Sequence, residues 1–345
     1  MYETFFTDIE PRKFQNLEAL GEMLEKRPSY HTQVVDPSTV SLGNDGLINY
    51  GDSKSKMSLQ GFRNMMVKLY RIPDPFATRI PLDLLQYNIK ELGNELDFNM
   101  TFVFNDQGLL INAVKEELLV LPSMPLLETF KDYKVKSILY SDIALNIQAL
   151  NPNFTKSAEP RVGDITQVGL NFTNSETGFS YPKAENLLWT LKCSNGAIAP
   201  RRFGLVKLKI KNADSSIESM TRTFSRRLGE LLLDGESMVN RLNGLADLKM
   251  SNSNAAWIVK AISRVIGKDE ALGIFELDQA EFTDIKELAR DEVSKDELTE
   301  LDAWETYSKV TSLANDYLGE TRKKLQTLGG KFLELDQLGG RVSLN

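Results

Sequence analysis

The chain is almost without cysteine and histidine. Cys193 is its single cysteine and His31 its single histidine among 345 residues. One cysteine excludes an intramolecular disulfide and any zinc site built from several thiolates, and it fits a reducing compartment. One histidine excludes a His-rich metal site and leaves a Ser-His-Asp or Cys-His set with a single candidate base. Long apolar runs are missing too: none approaches the roughly 20 residues that cross a bilayer. Met1 to Arg12 is mixed and acidic, unlike a secretory leader. The expectation is a cytoplasmic protein with no membrane partner.

What is present is an ordinary globular composition with an uneven charge. The hydrophobic fraction is 41%, enough in a chain of this length to build a sizeable core without covalent staples. Lys and Arg number 41 against 48 Asp and Glu, a net of −7. From Arg201 to Arg264 there are 12 Lys/Arg and 6 Asp/Glu, whereas from Lys268 to Glu320 there are 5 and 16. Two solvated helix faces would account for this. So would a basic surface for a polyanion with an acidic segment competing for it.

Apolar spacing predicts helices early in the chain. Phe14, Leu17, Leu20 and Leu24 recur at helical intervals between Pro11 and Arg27. Ser58 is an expected N-cap for a helix carrying Phe62, Met65 and Met66, and Pro81 suits the start of one carrying Leu85 and Ile89. From Met100 the period changes to that of strands. Met100–Phe104 and Leu109–Val114 flank a turn and read as a hairpin; Tyr133–Tyr140, Gln167–Phe172 and Val206–Lys211 read as further strands. Beyond Asn212 the pattern is helical again, through Phe224, Leu228 and Leu231, then Met238, Leu242 and Leu245, then Trp304, Tyr307, Thr311, Ala314 and Leu318. The fold class expected is α+β: a mixed or antiparallel sheet with N-terminal helices and a helical C-terminal region. The divisions expected are 1–212, 213–330, and a loose tail at 331–345 starting from the glycine pair Gly329-Gly330.

The segment Gly169 to Gly178 reads G-x-x-x-x-N-S-E-x-G through Asn174, Ser175, Glu176 and Gly178, and Cys193-Ser194-Asn195-Gly196 follows it. Together they resemble domain-of-unknown-function family 932, a phage- and plasmid-borne family. Looser likenesses lie at Gly108–Leu121 and Ala303–Thr311, and the resemblance covers about residues 57 to 320. The chain departs from it at Ser141-Asp142-Ile143-Ala144, where Ala144 stands in place of a tyrosine. The resemblance implies a mobile-element setting in a bacterial host cell and no particular activity. Neither it nor the residues imply a cofactor or a metal.

Asn174, Ser175 and Thr177 suit a turn closed by side chain to backbone bonds, with Gly178 free to take positive φ. The functional alternative places Glu176 and the hydroxyls against a ligand. Cys193 follows an apolar run and reads as a small buried hydrophobe, and Asn195-Gly196 as a turn pair. The basic residues point furthest. Arg201, Arg202, Lys207, Lys209 and Lys211 come from one loop and strand, and Arg222, Arg226 and Arg227 from the next helix. Phe179, Tyr181, Trp189, Phe203 and Phe224 lie nearby in sequence. Cations for phosphates and flat rings for bases are what a single-stranded nucleic acid requires. The functional expectation is therefore a non-enzymatic nucleic-acid-binding protein for replication, recombination or annealing. The alternatives are an oligomeric assembly protein or host-factor inhibitor that meets a basic partner through its acidic helices, and an enzyme acting on nucleotides or nucleic acid with Glu176 in its site.

Overall fold

The computed structural model describes residues 3–115, 121–150, 157–191, 195–199, 205–208, 216–231 and 235–335. The chain enters through strand β1 (Arg12–Phe14) and helix α1 (Leu17–Lys26). Asn16 caps α1, its side-chain oxygen accepting from Ala19 N at 2.8 Å. That cap holds Asn16 in an extended conformation, so the expected helix begins only after it and Phe14 belongs to a strand.

A unit with its own core follows. Strand β2 (His31–Val35) leads into a three-stranded meander, β3 (Ser41–Leu42), β4 (Ile48–Tyr50) and β5 (Ser53–Ser55). Helices α2 (Leu59–Lys68), α3 (Asp74–Ala77) and α4 (Leu82–Glu95) come next, then β6 (Met100–Phe104) and β7 (Leu110–Lys115), which form an antiparallel sheet with β2. Ser58 caps α2 as expected, accepting from Gly61 N at 2.9 Å and donating to the Ile111 carbonyl at 2.6 Å. Phe62, Met65, Met66, Leu85, Ile89, Met100 and Phe102 lie in one apolar cluster drawn from Phe6 to Ala113.

The larger sheet uses the rest of the strands. After α5 (Ser123–Leu127) come β8 (Lys134–Tyr140), β9 (Leu145–Leu150), β10 (Ser157–Ala158), β11 (Thr166–Asn174), β12 (Lys183–Thr190), β13 (Asn195–Ile198) and β14 (Leu205–Lys207). The order is β1-β8-β9-β11-β12-β13, with β10 on β11 and β14 on β12, and every one of these pairings is antiparallel. Because side chains alternate across a strand, Ile138, Ile147, Leu170, Phe172 and Ala184 face one side. Ser137, Gln148, Asn171 and Glu185 face the other.

The C-terminal part is mostly helical: α6 (Ile217–Leu231), α7 (Gly235–Gly244), α8 (Asn252–Ile266), α9 (Lys268–Phe275), α10 (Gln279–Leu288), α11 (Ala303–Leu313) and α12 (Gly319–Lys331). A two-stranded pair, β15 (Lys249–Ser251) with β16 (Leu298–Asp302), interrupts it. The acidic stretch is therefore broken by turns and a strand between α10 and α11, where helix was expected throughout. Asp302, the last residue of β16, caps α11 by accepting from Glu305 N at 2.8 Å.

The packing crosses two of the expected divisions. Phe224, Leu228 and Leu231 of α6 share a core with Leu20, Phe130 and Phe172, so α6 packs with the sheet and not apart from it. The unit around β6 and β7 has a separate apolar cluster, and so do the helices from α7 onward with Val168, Leu188 and Ala197. The first residues of the expected tail pack into the core. Gly329 and Gly330 lie inside α12, and Phe332, Leu333 and Leu335 beyond them are buried; residues 336–345 lie outside the described residues. Leu318 leaves the α11 stripe and is exposed, because the helix ends at Leu313.

The glycine pair is needed for docking. A Cβ on Gly330 would overlap the Ile198 carbonyl oxygen of β13, a backbone atom that cannot rotate away. Gly330→Ala is expected to destabilise the protein by about 1–3 kcal/mol, read as a lower urea midpoint with an unchanged slope. Wild-type stability in that variant would show that α12 does not sit against β13.

Candidate functional site

The N-S-E-x-G loop is the turn from β11 to β12, and it sits where the N-terminal unit meets the large sheet. Gly178 takes a positive φ of 84°, as the turn reading expects. Asn174, Ser175 and Thr177 are buried, and each donates to a distant segment, while among the described residues Asn174 Oδ1 is left without a partner. Asn174 Nδ2 donates to the Leu121 carbonyl at 2.8 Å and to Ser123 Oγ at 3.1 Å. Ser175 Oγ donates to the Ile143 carbonyl and Thr177 Oγ1 to the Asp142 carbonyl, both at 2.6 Å. From the other unit, Asn112 Nδ2 on β7 donates to the Thr177 carbonyl at 2.8 Å.

Glu176 points into the seam. One of its carboxylate oxygens accepts from Arg27, just past α1, and the other from the Ser123 backbone N–H at the start of α5. Arg27 also donates to the hydroxyls of Tyr140 and, at 2.9 Å, Tyr30. Tyr30 donates to Asp142 Oδ1 at 2.8 Å. Its single hydrogen is thereby used, so in the 3.1 Å contact between the two hydroxyls Tyr140 is the donor. Asn105 Nδ2 closes the network on Asp142 Oδ2 at 3.2 Å.

The electrostatics make this a tie rather than a reactive centre. Burial pushes the Tyr30 phenol well above its ordinary value, and Tyr140 and Asp142 push it further. Burial also raises Tyr140. Both phenols stay protonated and serve as donors, not bases. Burial opposes the Arg27 charge, but the bond to Glu176 and the surrounding oxygens more than reverse that. With Arg27 and Ser123 on its two oxygens, Glu176 is engaged on both sides, and the network around it draws on four separate segments, at 27–30, 105, 123 and 140–142. Sequence inspection singled out Glu176 and Asp142 but not Arg27, Tyr30 or Tyr140, since nothing in their spacing links them to residue 176. An open depression of about 490 Å³ along α1, lined by Ala19, Glu22, Met23, Lys26 and Arg27, adjoins this tie.

Of the second motif, Cys193 lies outside the described residues. Asn195 and Gly196 belong to β13, opposite Thr190 and Trp189, so they form the start of a strand, not the expected turn tip. Gly196 lets the strands close: a Cβ there would stand 3.1 Å from Leu187 Cδ1 and 3.2 Å from Trp189 Cε3.

The basic residues are only partly brought together. Arg201, Arg202, Lys209 and Lys211 lie outside the described residues, as does Phe203. Lys207 ends the edge strand β14, and its ammonium stands 5.3 Å from the ring of Tyr181, which is 45% exposed. Arg227 of α6 donates to the Lys207 carbonyl at 3.5 Å. Arg222 and Arg226 stand on the exposed side of α6, opposite the buried Phe224 and Leu228. The expected single strip is therefore bent around a sheet edge. Lys207 projects from the same sheet side as Lys183, its register partner, whereas α6 packs on the other. Phe224 and Trp189 are core residues and Phe179 is half-buried, which leaves Tyr181 as the exposed ring among the described residues of this group.

Lys183 is the cation that sequence reading missed. It is paired with Glu185 at 2.8 Å. Its opposition to Lys207 follows from strand register, which the sequence does not show. Among the described residues, none of Lys207, Arg222, Arg226 and Arg227 has a carboxylate within salt-bridge distance. Among the described residues, too, no three His, Cys, Asp or Glu side chains cluster as a metal site requires, and no helix is long and apolar enough to cross a membrane. No protein family, no curated protein and no solved structure matches this chain.

Proposed function

We propose that this chain binds single-stranded nucleic acid around the β14 edge of its large sheet. Lys207 and Arg227 meet phosphates at the edge, Arg226 and Arg222 extend the contact along α6, and Tyr181 offers a face on which one base stacks. The observation that supports the reading is the set of four exposed cations that, among the described residues, lack acidic partners and stand beside an exposed tyrosine. Like charges directly opposite, as at Lys183 and Lys207, are unfavourable in a bare sheet. A polyanion laid along the edge would offset that repulsion. The likeness to the phage- and plasmid-borne family adds the setting: replication, recombination or annealing in the cytoplasm of a bacterial host.

The test is a salt titration with an oligonucleotide. If four to six phosphates are neutralised, the log–log slope of affinity against salt is about −3 to −4. Lys207→Glu together with Arg227→Glu should flatten it by at least about 1.4, some 0.7 per lost contact. Tyr181→Ala should weaken binding by about 1–3 kcal/mol with little change in slope. Absence of binding at low salt, or a slope indifferent to the charge reversals, would overturn the proposal.

A second reading rests on a separate surface. Val293 and Leu298 are 81% and 66% exposed amid the exposed acids Asp291, Glu292, Asp296, Glu297 and Glu300. Exposed apolar side chains ringed by one charge sign suit a basic protein partner or a second copy of the chain. Assembly through that surface would survive the Lys207 and Arg227 reversals.

A further inference from the structure

Helix α12 crosses the side of the large sheet that α6 leaves open. Gly319 at its start stands near Pro11, beside β1, and Gly330 near its end touches β13. The helix therefore reaches from one end of the strand order to the other. Gln326, on its inward side, accepts at 2.8 Å from Gln148 of β9, and Gln148 also donates to Asn171 Oδ1 of β11 at 3.2 Å. Asn146 Nδ2 gives the same oxygen a second bond at 3.0 Å. The covered side is thus a polar layer, unlike the apolar layer under α6.

That layer has a surplus of donors. Arg322, one turn before Gln326 on the same helix side, is 7% exposed, and its Nε has no hydrogen-bond partner. Among the described residues its guanidinium has no carboxylate partner either. Asn171 Nδ2 is likewise buried without an acceptor. The two bonds to its Oδ1 fix the amide's orientation, so this is not a reversed side chain. Lys323 lies close to Lys183 and Glu185, and burial lowers its pKa. Lys183 and Lys323 thus share Glu185, and the exposed Glu320 adds its charge to Lys323 from outside.

A guanidinium does not lose its proton in a protein, and burying it unpaired is costly. Glu185, the carboxylate of this sheet side, is taken by Lys183 at 2.8 Å, so what Arg322 lacks is an acceptor with negative charge. We propose that Arg322 is an oxyanion site: a phosphate-type anion accepts from its guanidinium beneath α12. This site is independent of the β14 edge and stands whether or not nucleic acid binds there.

The probe is inorganic phosphate at millimolar concentration against chloride at matched ionic strength, with the thermal midpoint of the full chain as readout. Wild-type protein should gain several degrees and saturate, as one-site binding to the folded state requires. Arg322→Met keeps the aliphatic bulk without the charge. It should melt no lower than wild type in chloride and lose the phosphate response, while Arg322→Lys keeps part of it. A short oligonucleotide without terminal phosphates, run in parallel, separates the sources. Stabilisation by phosphate but not by the oligonucleotide assigns a free anion; abolition of both by Arg322→Met assigns a backbone phosphate. A wild-type midpoint indifferent to phosphate, an undiminished response in Arg322→Met, or failure of that variant to fold in chloride would each overturn the proposal.

Discussion

Glu176→Ala is expected to destabilise the protein by about 3–5 kcal/mol. The size comes from what is left behind. Arg27 and Glu176 have side chains only 20% and 11% exposed, and Arg27 remains charged when its partner is gone. The loss also frees the Ser123 backbone N–H at the start of α5, a buried donor that then lacks an acceptor. Removing both charges relieves most of this. The double variant Glu176→Ala with Arg27→Met should recover at least half of the single variant's loss, because the uncompensated cation has been deleted with it. Urea unfolding of the four proteins in a double-mutant cycle gives the coupling directly. A single-variant cost below about 1 kcal/mol would mean that water replaces the carboxylate and that the seam is wet.

Phe172→Ala should cost about 3–5 kcal/mol, for a different reason. Phe172 is fully buried in β11, with Phe130 at 5.1 Å and Phe224 at 5.4 Å between ring centroids. It is thus wedged between the segment after α5 and helix α6. Truncation removes apolar burial and leaves a void that two separately anchored elements cannot both close. Phe172→Leu keeps most of the volume and should cost less than half as much. Thermal unfolding distinguishes the two; equal losses would mean that the position answers to ring geometry rather than to filled volume. The β14 edge should be affected indirectly, since α6 carries Arg222, Arg226 and Arg227 and docks through Phe224.

How much of this was legible beforehand differs by element. The β6–β7 hairpin, β8 and β11 announce themselves, because alternation and flanking turn residues are local properties. Ser58 was legible as a cap for the same reason, and so were the stripes through Phe224 and Trp304. The helix expected from Pro11 failed at Phe14, whose apolar side chain fits a strand's inward row as well as a helix stripe. β15 and β16 were missed because each is short and gains its pairing from a partner about fifty residues away. The glycine pair in α12 reads as a loose end until β13 is set beside it, and only then does the missing Cβ become a requirement for contact.

The candidate sites divide in the same way. Glu176, Lys207 and the α6 arginines could be named from residue type and spacing. Arg27 and Tyr30 beside Glu176, Lys183 opposite Lys207, and the buried charge of Arg322 could not. By itself the sequence determined the α+β class, the main strands and helices, the charge imbalance and the scarcity of thiol and imidazole. These depend on composition and on periods of a few residues. Only the tertiary structure decided which carboxylate meets which guanidinium, which cations share a sheet side, and which arginine is left without a partner. Each of those is a contact between segments distant in the chain, governed by strand register and helix docking.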